Sequence, residues 1–396
     1  MPTIRPVRTR ADFATFVQLP RLLYRGMPGY APPLDFERRQ LLDPKKAKFF
    51  EHGEAQYWLA YEGARAVGRI SAQIDRLAIE TWGANIGCFG CLDTIDDAAT
   101  VAVLLETATT WLRERGMSAM RGPFTLSING ESGVQVDGQD HGGMVLMPWH
   151  PSYLTGLVEA AGLTPAKDLL AYTVSMKEYR RRDDLMARVE GRLPAGLTLR
   201  PLDLRKLDRE GDIMRTIFNA AWENNWSFVP FTPSEIATFT KAFKPFLIPE
   251  CGLIAELDGR PVGFAFALPN LFDAIAGFGG RLLPFNWIVF LTRVLRFSAY
   301  RSARIVLFGI VPQLHRIGAP LAFAMIDELL SRSGGLRQIE EVELSWILED
   351  NRPVTTMMAA FGVPAPSKRY RMFERTLDGV TLAALSDRLP SHFGGA

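Results

Sequence analysis

Two stretches of the chain carry the same succession of apolar and polar positions. Residues 58–72 hold an apolar run, a Glu62-Gly63 pair and a second apolar run opened by Gly68; residues 252–267 repeat this with Asp258-Gly259 and Gly263. Each reads as a β-hairpin, because glycine accepts the positive φ of a tight turn and the apolar faces pack across the two strands. A helix-length stretch ending in glycine comes later in each half. Residues 99–116 place Val103, Ala108, Trp111 and Leu112 on one stripe, and residues 321–334 do the same with Met325, Leu329 and Leu330. Arg113, Arg115 and Arg332 sit near the helix ends, where cations complement the macrodipole.

Each half then closes with a second helix, a Gly-apolar pair and a last strand: residues 151–163 and 168–174 in the first, 351–363 and 369–373 in the second. The halves also begin alike, with a short strand at 4–8 and a helix at 13–24, and a strand at 199–203 and a helix at 213–222. Between them, charge at 179–184 and then Pro and Gly at 193–196 replace apolar periodicity, as a link does. The pattern predicts a domain at 1–180, a second at 196–377 and a tail at 378–396. Mixed segments in this order predict an α/β (α+β) class, with helices layered on a mixed central sheet.

Composition narrows the partners. The chain has 396 residues, 22% charged and 47% hydrophobic, with a net charge of +2, so no basic signature points to nucleic acid. Cys88, Cys91 and Cys251 are too few for a disulfide framework. Cys88 and Cys91 have redox-motif spacing but lie in an apolar, strand-like run at 86–92, which favours two packed thiols in a reducing compartment. No apolar core of a signal peptide follows the N-terminus, and no unbroken apolar run approaches the ~18 residues of a spanning helix, so a cytoplasmic location is expected. His52, His141, His150 and His392 show no metal-ligand grouping, and no metal is expected.

Two segments stand out from the repeat. The second half carries an insertion at 270–301, much longer than its counterpart, loaded with Phe272, Phe278, Leu282, Leu283, Phe285, Trp287, Ile288, Phe290 and Leu291. With Arg293, Arg296 and Arg301 it suits a segment lying on the cytoplasmic face of a membrane; a lid over an apolar pocket and a homodimer contact remain open. The other segment joins the strand-like run 304–310 to the helix-like run 323–330 and holds His315, Arg316, Gly318 and Pro320. Either backbone N–H groups at that helix start face an anion, or Gly and Pro simply end a strand and begin a helix.

Each half resembles a domain of the GNAT acyltransferase superfamily, in which a mixed sheet splays open around a thioester cofactor. The resemblance implies that His315, Arg316, Gly318, Ala319, Pro320 and Leu321 match the superfamily's pyrophosphate loop, Gln/Arg-x-x-Gly-x-Gly/Ala. His315 and Pro320 depart from that pattern. The first-half counterpart, residues 92–99, carries Asp93, Asp96 and Asp97, good caps and poor phosphate neighbours, so that half reads as degenerate for the cofactor. Over residues 1–377 the chain also resembles a bacterial GNAT-like family that includes ceramide synthases, through residues 122–133, 137–138, 147–153, 167–168 and 221–231. The tandem GNAT-like fold then implies a coenzyme A or acyl-carrier-protein thioester as donor and an amine, such as a lipid long-chain base, as acceptor.

N-acylation needs a proton removed from the amine and a proton or positive neighbour for the leaving thiolate. Glu223, among polar groups at 219–226, and Glu131, in the insertion at 122–148, are the candidate bases; a capping role and a turn role, respectively, compete. The superfamily's general-acid tyrosine maps onto Met358, so Tyr370, Tyr300 or His315 would have to substitute, and Met358 suits an acyl channel. Asn129 and Glu131 would share a face if extended and, with Asp137, Asn225 and Trp226, would hold the acceptor. Lys368, Arg369 and Arg371 would attract cofactor phosphates or solvate a final edge strand. A non-catalytic acyl-thioester or lipid-binding protein, and an aminoacyl or peptidyl transferase, remain as alternatives.

Overall fold

In the computed structural model, residues 2–377 are described except Ser298 and Arg337, with only the backbone of His315; the tail at 378–396, with His392, lies outside. The first half supplies β1 (Thr3–Pro6), β2 (Gly53–Glu62), β3 (Arg65–Asp75), β4 (Ile86–Thr94), β5 (Ala119–Gly122), β6 (Val134–Asp137) and β7 (Thr164–Ser175). Its helices are α1 (Arg10–Leu23), α2 (Asp35–Leu42), α3 (Arg76–Trp82), α4 (Ala98–Arg113) and α5 (Tyr153–Ala160). After α6 (Asp183–Glu190) the second half supplies β8 (Leu197–Pro201), β9 (Gly252–Leu257), β10 (Arg260–Pro269), β11 (Ser302–Ile310), β12 (Glu341–Leu348) and β13 (Lys368–Thr376). Its helices are α7 (Leu207–Trp222), α8 (Pro233–Phe243), α9 (Leu271–Ala274), α10 (Asn286–Arg296), α11 (Gly318–Gly335) and α12 (Arg352–Ala360).

The two expected hairpins are β2–β3 and β9–β10, and Gly63 and Gly259 take the positive φ their turns require. All thirteen strands join one sheet in the order β1-β2-β3-β4-β5-β13-β7-β12-β11-β10-β9-β8, with β6 alongside β13. Neighbours are antiparallel except β4 with β5 and β11 with β12, so the sheet reads alike from both ends.

The last strands do not stay with their own halves. The first half's β7 pairs with β12 of the second, and the second half's β13 pairs with β5 of the first. Burial explains the exchange. Phe373 completes the core formed by Val101, Leu104, Leu105 and Leu112, while Tyr172 and Val174 pack with Leu321, Met325 and Leu329. An edge strand was one reading of β13, and the structure corrects it: β13 lies at the centre. Arg369 and Arg371 there both bind Asp168, at 2.8 Å each, rather than facing solvent alone.

The expected link contains a helix. In α6, Met186 and Val189 are spaced to share a face and pack against Phe323 and Ala324 of α11. Cys88 and Cys91 lie on β4 as free thiols, and burial pushes both thiols up from their usual range.

Candidate active site

The parallel pair β11/β12 holds register only from Ser302↔Glu341 to Ile305↔Leu344. Beyond that the strands diverge and leave a cleft of about 320 Å³. Its walls are mainly apolar, with Val306, Leu307 and Ile310 from β11 and Ile347 from β12, closed by Phe218, Phe231 and Met357. Trp222 of α7 donates through its indole N–H to the Phe308 carbonyl at 2.7 Å and packs edge-on against Trp346, 5.7 Å between centroids. The first-half insertion reaches over this cleft, contributing Ile128, Asn129 and Gly130.

The chain leaving β11 passes through a short 3₁₀ segment into α11, whose start at Gly318 has no side-chain cap among the described residues. A Cβ built on Gly318 meets nothing within 4 Å, and Arg316 is exposed. N–H groups at an uncapped helix start, beside an arginine, favour an anion.

At the vertex of the cleft lies a buried polar chain. Arg304 donates to Ser345 Oγ at 2.7 Å and to the Val145 and Leu146 carbonyls at 2.9 and 3.1 Å. Ser345 Oγ donates to Glu343 Oε1 at 2.5 Å, and Lys368 Nζ donates to Glu343 Oε2 at 3.0 Å. Burial lowers Arg304 to about 10 against the pull of Glu343 and Tyr370, so it stays charged at neutral pH.

The first half is built differently at the equivalent place. Its β4/β5 register ends at Cys88↔Arg121, but Phe124 N–H donates to the Phe89 carbonyl at 2.8 Å and stitches the strands together. Gly90 permits this, since a Cβ there would lie 1.7 Å from the Phe124 carbonyl oxygen. What opens beyond holds ion pairs: Arg69 with Asp93 at 2.7 Å, and Arg38 with both carboxylate oxygens of Glu131. The start of α4 is occupied by Asp97, which accepts from Thr100 N–H at 2.7 Å; its hydrogen bonds to Thr100 hold its carboxyl below the usual range.

No known family model matches the chain. Protein YghO of Escherichia coli is 36% identical over 382 residues, covering 94% of this chain and 95% of its own. Bacterial ceramide synthase of Caulobacter vibrioides is 38% identical over 382 residues, covering 95% of this chain and 97% of its own. The chain belongs to the family of these two proteins. Among solved structures, a tandem GNAT protein from the clavulanic acid biosynthesis pathway matches 96% of this chain and all of its own with a TM-score of 0.55 at 14% identity, a likeness of fold.

Within this tandem GNAT-like scaffold the residues singled out by sequence scatter. Asn129 and Asn225 line the second-half cleft, and Asn129 Nδ2 donates to the Val229 carbonyl at 3.1 Å. Glu131 does not join them. The chain turns at 128–130 instead of extending, so Glu131 faces the first-half ion pairs. Burial acts to raise its carboxyl, but Arg38 outweighs this and holds it below the usual range. Glu223 caps α7, exposed to solvent and outside the cleft lining. Trp226 lies under the Arg121 guanidinium at 4.8 Å, and Asp137 is exposed on β6 beside β13. Tyr370, Tyr300 and Met358 are fully buried, and burial pushes both phenols well up. Met357, one position earlier, faces the cleft.

Sequence reasoning passed over the vertex chain. Glu341, Glu343 and Ser345 alternate with Val342, Leu344 and Trp346, which reads as a strand with one solvated face. Only the central placement of β13, bringing Lys368 onto that face, buries it. The arginine at the head of the apolar run 304–310 was the available signal.

Proposed function

We propose that this protein is an N-acyltransferase that moves an acyl group from a coenzyme A or acyl-carrier thioester to the amine of a long-chain base. The observation that carries the reading is the asymmetry of the two parallel pairs. One opens into a mainly apolar cleft beside a helix start with no side-chain cap among the described residues; the other is stitched shut, filled with ion pairs and capped by Asp97. On this reading the pantetheine arm lies between β11 and β12. The diphosphate meets Arg316 and the backbone from His315 through Gly318 and Ala319, with Pro320 and Leu321 continuing the helix. Pro320 withholds one donor, a small loss at a helix's first turn.

The name of the Caulobacter relative, bacterial ceramide synthase, supports a long-chain amino alcohol as acceptor. Asn129 and Asn225, polar groups in a mainly apolar cleft, suit its head group. No helix among the described residues is long and apolar enough to cross a membrane. Instead α10 and the residues before it expose Leu283, Phe285, Trp287, Ile288, Leu291 and Leu295. That apolar surface with Arg296 beside it fits reversible docking on an anionic bilayer, from which an insoluble acceptor would be drawn.

Two measurements test the reading. Purified protein with palmitoyl-CoA should release free thiol in the presence of sphinganine or a related long-chain amine; thioester binding without release across a panel of amines would refute transfer. Gly318→Asp places a carboxylate where there is room for it, so the fold should persist while coenzyme A affinity falls by about tenfold or more. Unchanged affinity would remove the second half as the cofactor site.

A further inference from the structure

The reaction must dispose of a proton, because a long-chain amine reaches the cleft mostly as an ammonium ion and only the free amine attacks a thioester. The cleft offers one hydroxyl at its vertex for this. Ser345 is the first residue of β12 beyond the paired register, and it lines the cleft with Arg304. Its one proton points to Glu343 Oε1 at 2.5 Å, and Arg304 occupies one lone pair at 2.7 Å. A hydroxyl oxygen has two acceptor lone pairs, so one remains.

Behind Ser345, Glu343 is fully buried and, with Lys368, forms part of the wall of a second cavity of about 360 Å³. The two cavities share no lining residue. Glu343 therefore stands between them, reaching the cleft through Ser345 on one side and the second cavity on the other. Lys368 Nζ fixes the carboxylate at 3.0 Å and is itself anchored on the Gly142 carbonyl at 3.1 Å. The charged or titratable groups facing Glu343 are Lys368 and Tyr370 on β13 and Arg304 on β11, with Glu131 acting on the last two at longer range. His141, Asp273, Arg301, Glu340 and Glu341 line the cavity beyond.

We propose that Ser345 and Glu343 form the proton exit of the acyl transfer: the ammonium gives a proton to Ser345 Oγ as the Ser345 hydroxyl proton passes to Glu343 Oε1, and Glu343 releases it through the Lys368-lined cavity. The proposal rests on the acyl-transfer reading. One N–H bond breaks in this step. The freed lone pair then forms the C–N bond as the C–S bond breaks, and the second amine proton goes to the departing thiolate. Ammonium and thioester become amide, thiol and one proton in solvent. Ser345 is the catalytic residue here, and Glu343 is a positioning residue and proton acceptor behind it. The buried Lys368–Glu343 pair then has a use beyond stability, which a buried ion pair supplies poorly.

The test uses the full chain with palmitoyl-CoA and a long-chain amine that the wild type acylates. Ser345→Ala removes only the hydroxyl and leaves the Lys368–Glu343 pair intact; kcat should fall by about a hundredfold with KM for both substrates within about twofold. Ser345→Thr, which keeps a hydroxyl, should recover most of the rate. Glu343→Gln, which keeps the shape but cannot take the proton, should lower kcat about as far as Ser345→Ala in protein whose circular dichroism matches the wild type. Ser345→Ala with wild-type kcat and an unshifted pH profile would overturn the proton exit while leaving acyl transfer standing. A wild type that binds the thioester yet acylates no amine would overturn both.

Discussion

His52 should make the protein's stability fall on the alkaline side of neutrality. The ring bridges the halves: Nδ1 lies 2.8 Å from Asp75, which caps α3, and Nε2 lies 3.1 Å from Glu235, in the first turn of α8. Burial acts to lower the imidazole, but hydrogen bonds to the two carboxylates outweigh it and raise it from 6.5 to about 9. That rise corresponds to roughly 3 kcal/mol of preference for the charged ring, reduced by solvent screening to about 1–2 kcal/mol. Because the folded value lies above the unfolded one, this stabilisation is fully present below the unfolded value and disappears as pH rises through about 9. The perturbation is His52→Gln, neutral at every pH. Urea unfolding of both proteins, followed by tryptophan fluorescence at roughly pH 6, 7.5 and 9.5, reads the gap while other titrating groups cancel in the difference. The gap should shrink from about 1–2 kcal/mol at the lowest pH towards zero at the highest. A gap that stays constant, or widens with pH, would refute the bridge as a charged latch.

Three further outcomes follow from packing and charge. Phe373→Ala, a fully buried ring in the first-half core, should cost about 3–5 kcal/mol and shift the thermal midpoint of the whole protein; loss of second-half structure alone would contradict the shared core. Arg38→Met strands the buried Glu131 carboxylate and should cost about 3–5 kcal/mol by urea unfolding, most of it recovered in Arg38→Met/Glu131→Met; an equally damaged double variant would mean the residues act by packing alone. Vesicle flotation on anionic bilayers should carry the wild type but not Trp287→Ser/Leu291→Ser/Leu295→Ser, whose three sites are exposed on α10 and should leave the fold intact; a wild type that stays at the bottom would favour a lid or subunit contact.

What the sequence revealed was what local pattern encodes. The hairpins at Glu62-Gly63 and Asp258-Gly259 and the stripes of α4 and α11 are visible because period and turn chemistry are set within a dozen residues. The departure of Gly318 from its first-half counterpart was equally visible, since capping aspartates are a local signal. The placement of β7 and β13 was not, because strand exchange depends on which core Phe373 and Tyr172 fill, and either core accepts an apolar strand of that length. Glu131 was misplaced for a related reason: whether residues 129–131 extend or turn decides which of two clefts a side chain enters, and Gly130 permits both. Glu343 looked solvated because the lysine that buries it comes from 25 residues further on.

The exchange of last strands also bears on how the protein comes off the ribosome. About 250 residues separate Gly122 on β5 from its partner Phe373 on β13, roughly 12–50 s of synthesis at about 5–20 residues per second. Through that interval the nascent first half has an open sheet edge at β5 and a hole in its core where Phe373 belongs. Its own last strand, β7, is meanwhile waiting for β12. The first half cannot mature until the end of the second is made, so the N-terminal-first, domain-by-domain folding open to most duplicated chains is closed to this one. A stop codon only a few residues into β13 would break the shared sheet between β5 and β7, and an early-binding chaperone would hold a chain whose first half has no completed core to release.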